Sequence, residues 1–425
     1  MGGRRVDRSL WRNRDFTIFW AGQTLAEFGN TFSLIAMPLL VLKATGSVVQ
    51  MGLLTAVAAV SSIVTGVFGG ILVDRLDRRR LMIVCDVARF LLYGLIPVCW
   101  MIGPQIWLLY VVMACSGVFG MIFRTSYVTA VGNLVDKDQI VAANGRLQAT
   151  NALAYITGPA LAGLISGLFG TTAAIAANSV TFGVSAIGLA LVRFRPVQGP
   201  PPAEARWYDV RQGFLAGLAF LWRTPVLRWV TLLLMVVTFL SLGMIDVFIY
   251  HLRDGLGQSE EVVGYVLGIA GAGAVVGASL TAYLRRRLGF GWCWLGAYAL
   301  TGAAMAVFAM SDGLVVVTAM AVVYMFCLAL AGICSMSLRQ TMTPDHLLGR
   351  VTSAFWTLSE GLAPLGAVVL TALAGGIGVR RTLLWAAGAF LFVTVAGLFT
   401  PIRQRSPERA TDSSPDLQGL PVSGK

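Results

Sequence analysis

The chain is a succession of long apolar runs separated by short polar stretches. A hydrocarbon layer about 30 Å thick takes about 20 helical residues per crossing. Twelve runs meet that length, at 16–42, 48–73, 81–102, 105–130, 141–168, 172–192, 226–250, 261–284, 291–310, 313–338, 348–374 and 382–401. Backbone polar groups inside lipid must pair within their own segment, so each run is expected to be a helix. The widest interruption divides the spans six and six. It contains Gly199-Pro200-Pro201-Pro202, which stiffens a linker, and Trp207-Tyr-Asp-Val-Arg211, whose aromatic and basic residues suit a short amphipathic helix on the membrane surface. The expected organisation is an N-terminal segment 1–15, a six-helix bundle 16–193, a linker 194–225, a second bundle 226–401 and a disordered tail 402–425 rich in Ser, Pro and charge.

Composition excludes a water-soluble globule: 57% of residues are hydrophobic and only 12% charged, with a mean hydropathy of +0.76. The first apolar run is too long for a signal-peptide core and eleven more follow, so it reads as a retained helix. The net charge of +12 reflects topology rather than nucleic-acid binding. Arg4 to Arg14, Arg75 to Arg80, Lys137, Arg193 to Arg228, Arg285 to Arg287, Arg350 and Arg403 to Arg409 all fall on one side of the alternating spans. The other side receives Lys43, Arg253, Arg380 and Arg381. Basic residues gather in cytoplasmic loops, which places both termini in the cytoplasm. Arginine outnumbers lysine 29 to 3, the mark of a GC-rich genome and of bacterial origin, and the expected location is the bacterial cytoplasmic membrane. The six cysteines (85, 99, 115, 293, 327 and 334) lie in apolar runs without ligand or redox spacing, and His251 and His346 are far apart. No metal or cofactor is expected.

A faint repeat relates the halves. Shifted by 207 residues, Gly70 falls on Gly277 and Arg78-Arg79-Arg80 on Arg285-Arg286-Arg287; Thr281 stands under Asp74. Shifted by 205, Gly158-Pro159 falls on Ala363-Pro364. Three matches in order, counting Leu134-Val135-Asp136 with Thr343-Pro344-Asp345, point to two bundles related by a pseudo-twofold axis, an arrangement in which substrate sits near the midplane.

The most informative local sequence leaves the second span: Gly70-Ile-Leu-Val-Asp74-Arg75-Leu-Asp77-Arg78-Arg79-Arg80. Its spacing resembles the loop between helices 2 and 3 of the major facilitator superfamily, with Asp77 in place of the second glycine. Pro38 to Ser47, Asp86-Val-Ala-Arg89, Leu134 to Asn144 and Leu348-Gly349-Arg350-Val351 are similar to the third drug:proton antiporter group of that superfamily, which includes macrolide efflux and enterobactin export proteins. The likeness runs from Phe16 to Pro401. It implies an all-helical membrane protein of twelve spans in two six-helix bundles. In the family, the aspartate of the loop, here Asp74, meets the amino end of helix 11 and locks one state. Gly70, Arg75, Arg78, Arg79 and Arg350 are the matching gate residues, and Asp86 and Arg89 are expected to join that network. Gly158-Pro159-Ala-Leu-Ala162-Gly163 partly matches the glycine-proline motif of antiporters, with Ala154 and Ala162 where glycines are usual.

Charges inside the spans are costly and therefore functional candidates. Glu27 lies about 16 Å into the first span and Arg124 at a comparable depth in the fourth. The resemblance puts helices 1 and 4 in one half of the cavity and permits an ion pair between them. There, substrate and proton could compete, or the pair could simply hold the bundle together. Glu360 is a second coupling candidate. Gln23, Asn30, Asn144, Gln148, Asn151 and Asn178 could line a cavity or bond across helices, and Asp246, near an end of the seventh span, reads as an interfacial, solvated carboxylate.

No Gly-Lys-Ser/Thr phosphate loop exists, because Lys43 and Lys137 follow Leu42 and Asp136, and Lys425, after Gly424, is last. The expected function is export of an amphipathic drug, antibiotic or secondary metabolite in exchange for protons. The protein would work as a monomer, with substrate, protons and the bilayer as partners. Export of a siderophore or metabolite, or import, are alternatives. A lipid-linked transferase is a rival from another class, disfavoured because the long linker lacks a polar catalytic cluster.

Overall fold

A computed structural model describes residues 13–130, 134–135, 139–194 and 207–407, with backbone alone at 67–75, 128–130, 141, 207–211 and 345–346. All its regular elements are helices. Six precede the linker: α1 (Arg14–Thr45), α2 (Val48–Arg75), α3 (Arg78–Trp100), α4 (Ile106–Ala130), α5 (Ile140–Phe169) and α6 (Thr171–Leu191). After them come the linker helix α7 (Trp207–Arg223) and α8 (Pro225–Tyr250), which runs on into a wide π-turn at His251–Gly255. The remainder are α9 (Glu260–Leu288), α10 (Phe290–Met310), α11 (Leu314–Met342), α12 (Asp345–Gly361), α13 (Ala363–Ile377) and α14 (Val379–Leu398). Twelve spans long and apolar enough to cross a membrane result, α12 and α13 together making one.

Short polar residues set several ends. Asn13 caps α1 by accepting the Phe16 N–H at 3.1 Å, and Asp77 caps α3 through the Arg80 N–H at 3.0 Å. Gly46 closes α1 in the left-handed region, at φ 64°, where its N–H reaches the Leu42 carbonyl. Ser47 then opens α2 at once, so two spans are joined by two residues.

Two local features go beyond the apolar pattern. The single span 348–374 is interrupted at Leu362. Pro364 has no N–H and its ring excludes the carbonyl four residues back, so the ladder is broken and the Leu362 N–H turns to the Glu360 carbonyl. The last span begins at Val379 rather than 382. Pro159, by contrast, sits inside an unbroken α5.

The chain forms two compact units. The first comprises Met1–Ala205, Phe239–Ala272 and Ala363–Thr382; the second comprises Arg206–Thr238, Gly273–Leu362 and Leu383–Lys425. Lipid tails are as apolar as leucine, so helices associate through close van der Waals contact, which small residues allow. In the first unit a Cβ on Gly29 of α1 would lie 2.0 Å from Thr181 Oγ1 of α6, and one on Gly117 of α4 would lie 2.6 Å from the Ala58 carbonyl of α2. Near the start of α1, Phe16, Phe19, Met82, Cys85, Phe123 and Leu189 form a buried apolar cluster. In the second unit Trp294 of α10 donates to Ser335 of α11 at 2.7 Å and meets Tyr298 edge-on. There too α7 packs on α12, a Cβ at Gly217 lying only 2.3 Å from the Arg350 carbonyl.

Candidate functional site

Gln23, Glu27 and Asn30 are four and three residues apart in α1 and therefore share one helical face. Two hydrogen-bonded strings run from that face. Gln23 Nε2 donates to Ser185 Oγ of α6 at 3.1 Å, and Ser185 Oγ donates to Asp86 Oδ2 of α3 at 2.6 Å. Arg89 Nη2 of α3 donates to Asn30 Oδ1, and Asn30 Nδ2 faces Glu27 Oε2 at 3.5 Å. Asp86 and Arg89 are 1% and 8% exposed. The Arg89 guanidinium lies flat over Phe182, 3.8 Å from the ring centroid. One acid and one base three residues apart offset each other's charge inside the bundle, which is what makes their burial tolerable. Among the described residues these two join α1, α3 and α6; the Asp74 side chain, with which they were expected to form a network, lies outside the described ones.

Glu27 itself is half-buried and Arg124 of α4 exposed. Among the described residues they do not form the anticipated ion pair. What they share is Tyr155 of α5, whose phenol lies within electrostatic reach of both, while Tyr127 of α4 lies within reach of Glu27. Tyr127 stacks on Phe19 with centroids 5.6 Å apart. Trp20 Nε1 donates to Thr150 Oγ1 at 3.0 Å, which ties α1 to α5. An acid and a base thus share one phenol within electrostatic reach, and a second phenol lies beside the acid. Tyr127 and Tyr155 were not legible as members, because a tyrosine in an apolar run carries no mark of which face it takes.

The other candidates are more dispersed. Asn144 and Gln148 are exposed, and Asn151 donates to Gln148 at 3.3 Å. Asn178 is wholly buried and bonds Ser33 of α1. Glu360 is exposed near the end of α12, and Arg350 is exposed on the same helix, with its backbone against α7. Gly70, Asp74 and Arg75 fall among residues whose side chains lie outside the described ones. Of the loop arginines, Arg79 bonds the Leu189 and Ala190 carbonyls at the end of α6, groups that a helix terminus leaves without internal partners. Arg78 is half-buried at the start of α3.

The glycine-proline segment of α5 is a packing surface. A Cβ on Gly158 would lie 1.9 Å from Thr31 Oγ1 of α1, and one on Gly163 would lie 2.6 Å from the Gly264 Cα of α9. One turn further, α9 is fastened electrostatically. Lys43 at the end of α1 pairs with Glu260 in the first turn of α9. Thr171, the first residue of α6, donates to Glu260 at 2.9 Å and accepts from Lys43 at 3.1 Å. This latch joins residues 217 positions apart (260 − 43) and had no local signature. Beside it a cavity of about 260 Å³ is lined by Leu42, Lys43, Gly46, Arg253 and Asp254, among others. The second unit buries a further cation: Arg339 of α11 is 3% exposed and stacks 3.8 Å from the centroid of Phe355.

Asp246 overturns its expectation. It is 0% exposed rather than solvated, because small residues let α2 and α13 pack closely on α8 around it.

The described residues thus contain twelve helices long and apolar enough to cross a membrane, with polar side chains bonded between several of them. The model of the Major Facilitator Superfamily matches residues 19–367, and the chain belongs to that superfamily. It is 26% identical over 382 residues to the multidrug efflux pump Tap of Mycolicibacterium fortuitum, covering 88% of this chain and 93% of that one. To the enterobactin exporter EntS of Escherichia coli (strain UTI89) it is 26% identical over 379 residues, covering 84% and 85%. Among solved structures it is similar in fold to a bacterial homologue of the lysosomal transporter Spinster (TM-score 0.73, 13% identity, 97% of this chain and 100% of that one) and to the nucleoside transporter NupG (TM-score 0.70, 12% identity, 91% and 98%).

Proposed function

We propose that this transporter exports a bulky amphipathic small molecule from the bacterial cytoplasm in exchange for protons, by alternating access. Its helices would work as two six-helix halves, 16–193 and 226–401, with both termini cytoplasmic. The observation that carries the reading is Glu27: a half-buried carboxylate inside a helix long and apolar enough to cross a membrane, with one hydrogen-bonding neighbour and with Arg124 and Tyr155 close by. Such a group can hold either a proton or a cationic or polar part of a substrate, and competition between the two is the simplest coupling device. Tyr127, half-buried and stacked on the buried Phe19, offers an aromatic edge for an apolar portion. Likeness to a multidrug efflux pump along nearly the whole chain supports export over import.

Exposed Arg124 and the likeness to an enterobactin exporter favour one second reading, in which the cargo is an anionic chelating metabolite. Purified protein in liposomes loaded with ethidium and given an inward-directed proton gradient separates the two. Gradient-driven ethidium loss abolished by Glu27→Gln supports the first reading. Ethidium retention, with gradient-driven movement of a catecholate chelator, replaces it by the second.

A further inference from the structure

Asp246 lies where α8 meets α2 and α13, and the cycle just described does not use it. None of its surface is exposed, and neither carboxyl oxygen has a hydrogen-bond donor. The Thr55 hydroxyl of α2 is its polar neighbour, close by but outside good hydrogen-bonding geometry. Around it the helices touch backbone to backbone. A Cβ on Gly366 would lie 1.7 Å from the Phe239 carbonyl, one on Gly243 would lie 2.7 Å from the Ala367 Cα, and one on Gly52 would lie 1.9 Å from Thr371 Oγ1. A seam this tight has no place for a hydration shell.

The groups facing the carboxyl carry no charge. From α2 comes Thr55, and α13 contributes Ala367 and Thr371 at the seam; no charged side chain acts on Asp246. Along α8 and its π-turn, Tyr250 and the buried His251 follow four and five residues later, and Arg253 and Asp254 seven and eight, about 6 to 12 Å further on at the helical rise. Lys43 and Glu260 satisfy each other. An ionised carboxylate without donor, counter-charge or water is among the most costly arrangements a protein interior can hold, whereas the neutral acid costs only an unmade hydrogen bond.

We propose that Asp246 is a second proton site, one that gates: the seam of α2, α8 and α13 closes over the neutral acid and parts over the carboxylate. Closing transfers one proton from water at the mouth onto a carboxylate oxygen, and parting returns one proton to the same water. Asp246 therefore decides when the seam moves, while Glu27 exchanges its proton against cargo. The inference rests on the transport reading above, but its test needs no cargo.

Spin labels at Ile102→Cys and Gly376→Cys, in protein whose six native cysteines have been replaced, report the distance across this end of the first unit. Ile102 is exposed and a side chain at Gly376 meets open space, so neither label touches the seam or the Lys43–Glu260 pair. Distances are read by pulsed electron resonance in lipid nanodiscs, without substrate, between pH 5 and 9. The expected result is a short distance at low pH giving way to a longer one as pH rises. Asp246→Asn should stay short throughout, Asp246→Glu should still titrate but with a displaced midpoint, and Glu27→Gln should follow the parent. An Asp246→Asn protein that titrates like the parent, or a parent with no pH response, overturns the proposal. Should Asp246→Asn fail to elute as a folded species, Asp246→Glu decides: an unmoved midpoint counts against the site. If ethidium efflux persists while the label pair is silent, only this inference falls. A parent that titrates through Asp246 yet moves no ethidium sinks the export reading instead.

Discussion

Two acids inside the spans, Glu27 in α1 and Asp246 in α8, occupy opposite kinds of surroundings. Glu27 is half-buried, faces Asn30, and through Asn30 reaches Arg89, with Arg124 and two phenols nearby. Asp246 is sealed, has no donor and meets no charge. The same side-chain chemistry is therefore made to differ by packing alone. Where polar partners surround a carboxylate, its charge can persist and be traded against cargo; where glycine-tight backbones surround it, its charge and closure exclude each other.

The contrast breaks most violently when the partners around Glu27 are removed. Arg89→Leu leaves Asp86 buried with Ser185 as its one donor and strips Asn30 of its cation. Loss of one member of a buried charge pair costs on the order of 3–5 kcal/mol, so the yield of monodisperse protein should collapse and the melting temperature fall. A variant as stable as the parent would show that Asp86 does not need Arg89. The next effect is functional. Glu27→Gln should fold normally and lower gradient-driven ethidium efflux by roughly tenfold or more, the scale of losing about 1.4 kcal/mol of coupling, while retaining ethidium binding measured by fluorescence anisotropy. Equal losses of binding and efflux would make Glu27 a contact to cargo rather than a coupling group.

At the seam, Gly366→Ala tests whether backbone contact is what seals Asp246. The added methyl would overlap the Phe239 carbonyl, at 1.7 Å. Backbone cannot move aside as a flexible side chain would, and overpacking of this kind costs about 1–3 kcal/mol. Thermal stability should drop by that amount, and the label pair at 102 and 376 should read long at every pH. An unaltered short distance would mean that the seam closes without this contact.

How much of this could be read from residues alone differs between the two acids. The spans were legible because an apolar run of fixed length has one reading in lipid, and the shared face of Gln23, Glu27 and Asn30 because it follows from counting along a straight helix. The burial of Asp246 was not legible, since the close approach of α2 and α13 to α8 depends on which glycines face one another, which a single apolar run does not encode. Pairing was less legible still. The rotation of α1 against α3 and α6 decided that Arg89, rather than Arg124, reaches the face of Glu27, and the break at Pro364 was masked by the continuous hydrophobicity of 348–374. In α5 the same residue type at a repeat-matched position leaves the helix whole. The structure offers no local reason in the proline itself, only different surroundings, with Gly158 fitted against Thr31 of α1.

The smallest effect concerns what holds the start of α9 to α1 and α6 within the first unit. Lys43 and Glu260 are oppositely charged and in contact, but Lys43 is 41% exposed, and solvent screens a pair of that kind to roughly 0–1 kcal/mol. Lys43→Met should therefore barely change the melting temperature. It should still shift the label pair, because Glu260, only 5% exposed, would keep just the Thr171 hydroxyl, and its charge would favour the hydrated, parted state. The expected outcome is a population of long distances at a pH where the parent is closed, reversed in the double variant Lys43→Met, Glu260→Gln, in which no charge remains to hydrate. If the double variant parts as readily as the single one, the latch contributes through attraction itself, and Asp246 is not alone in deciding when this end of the protein closes.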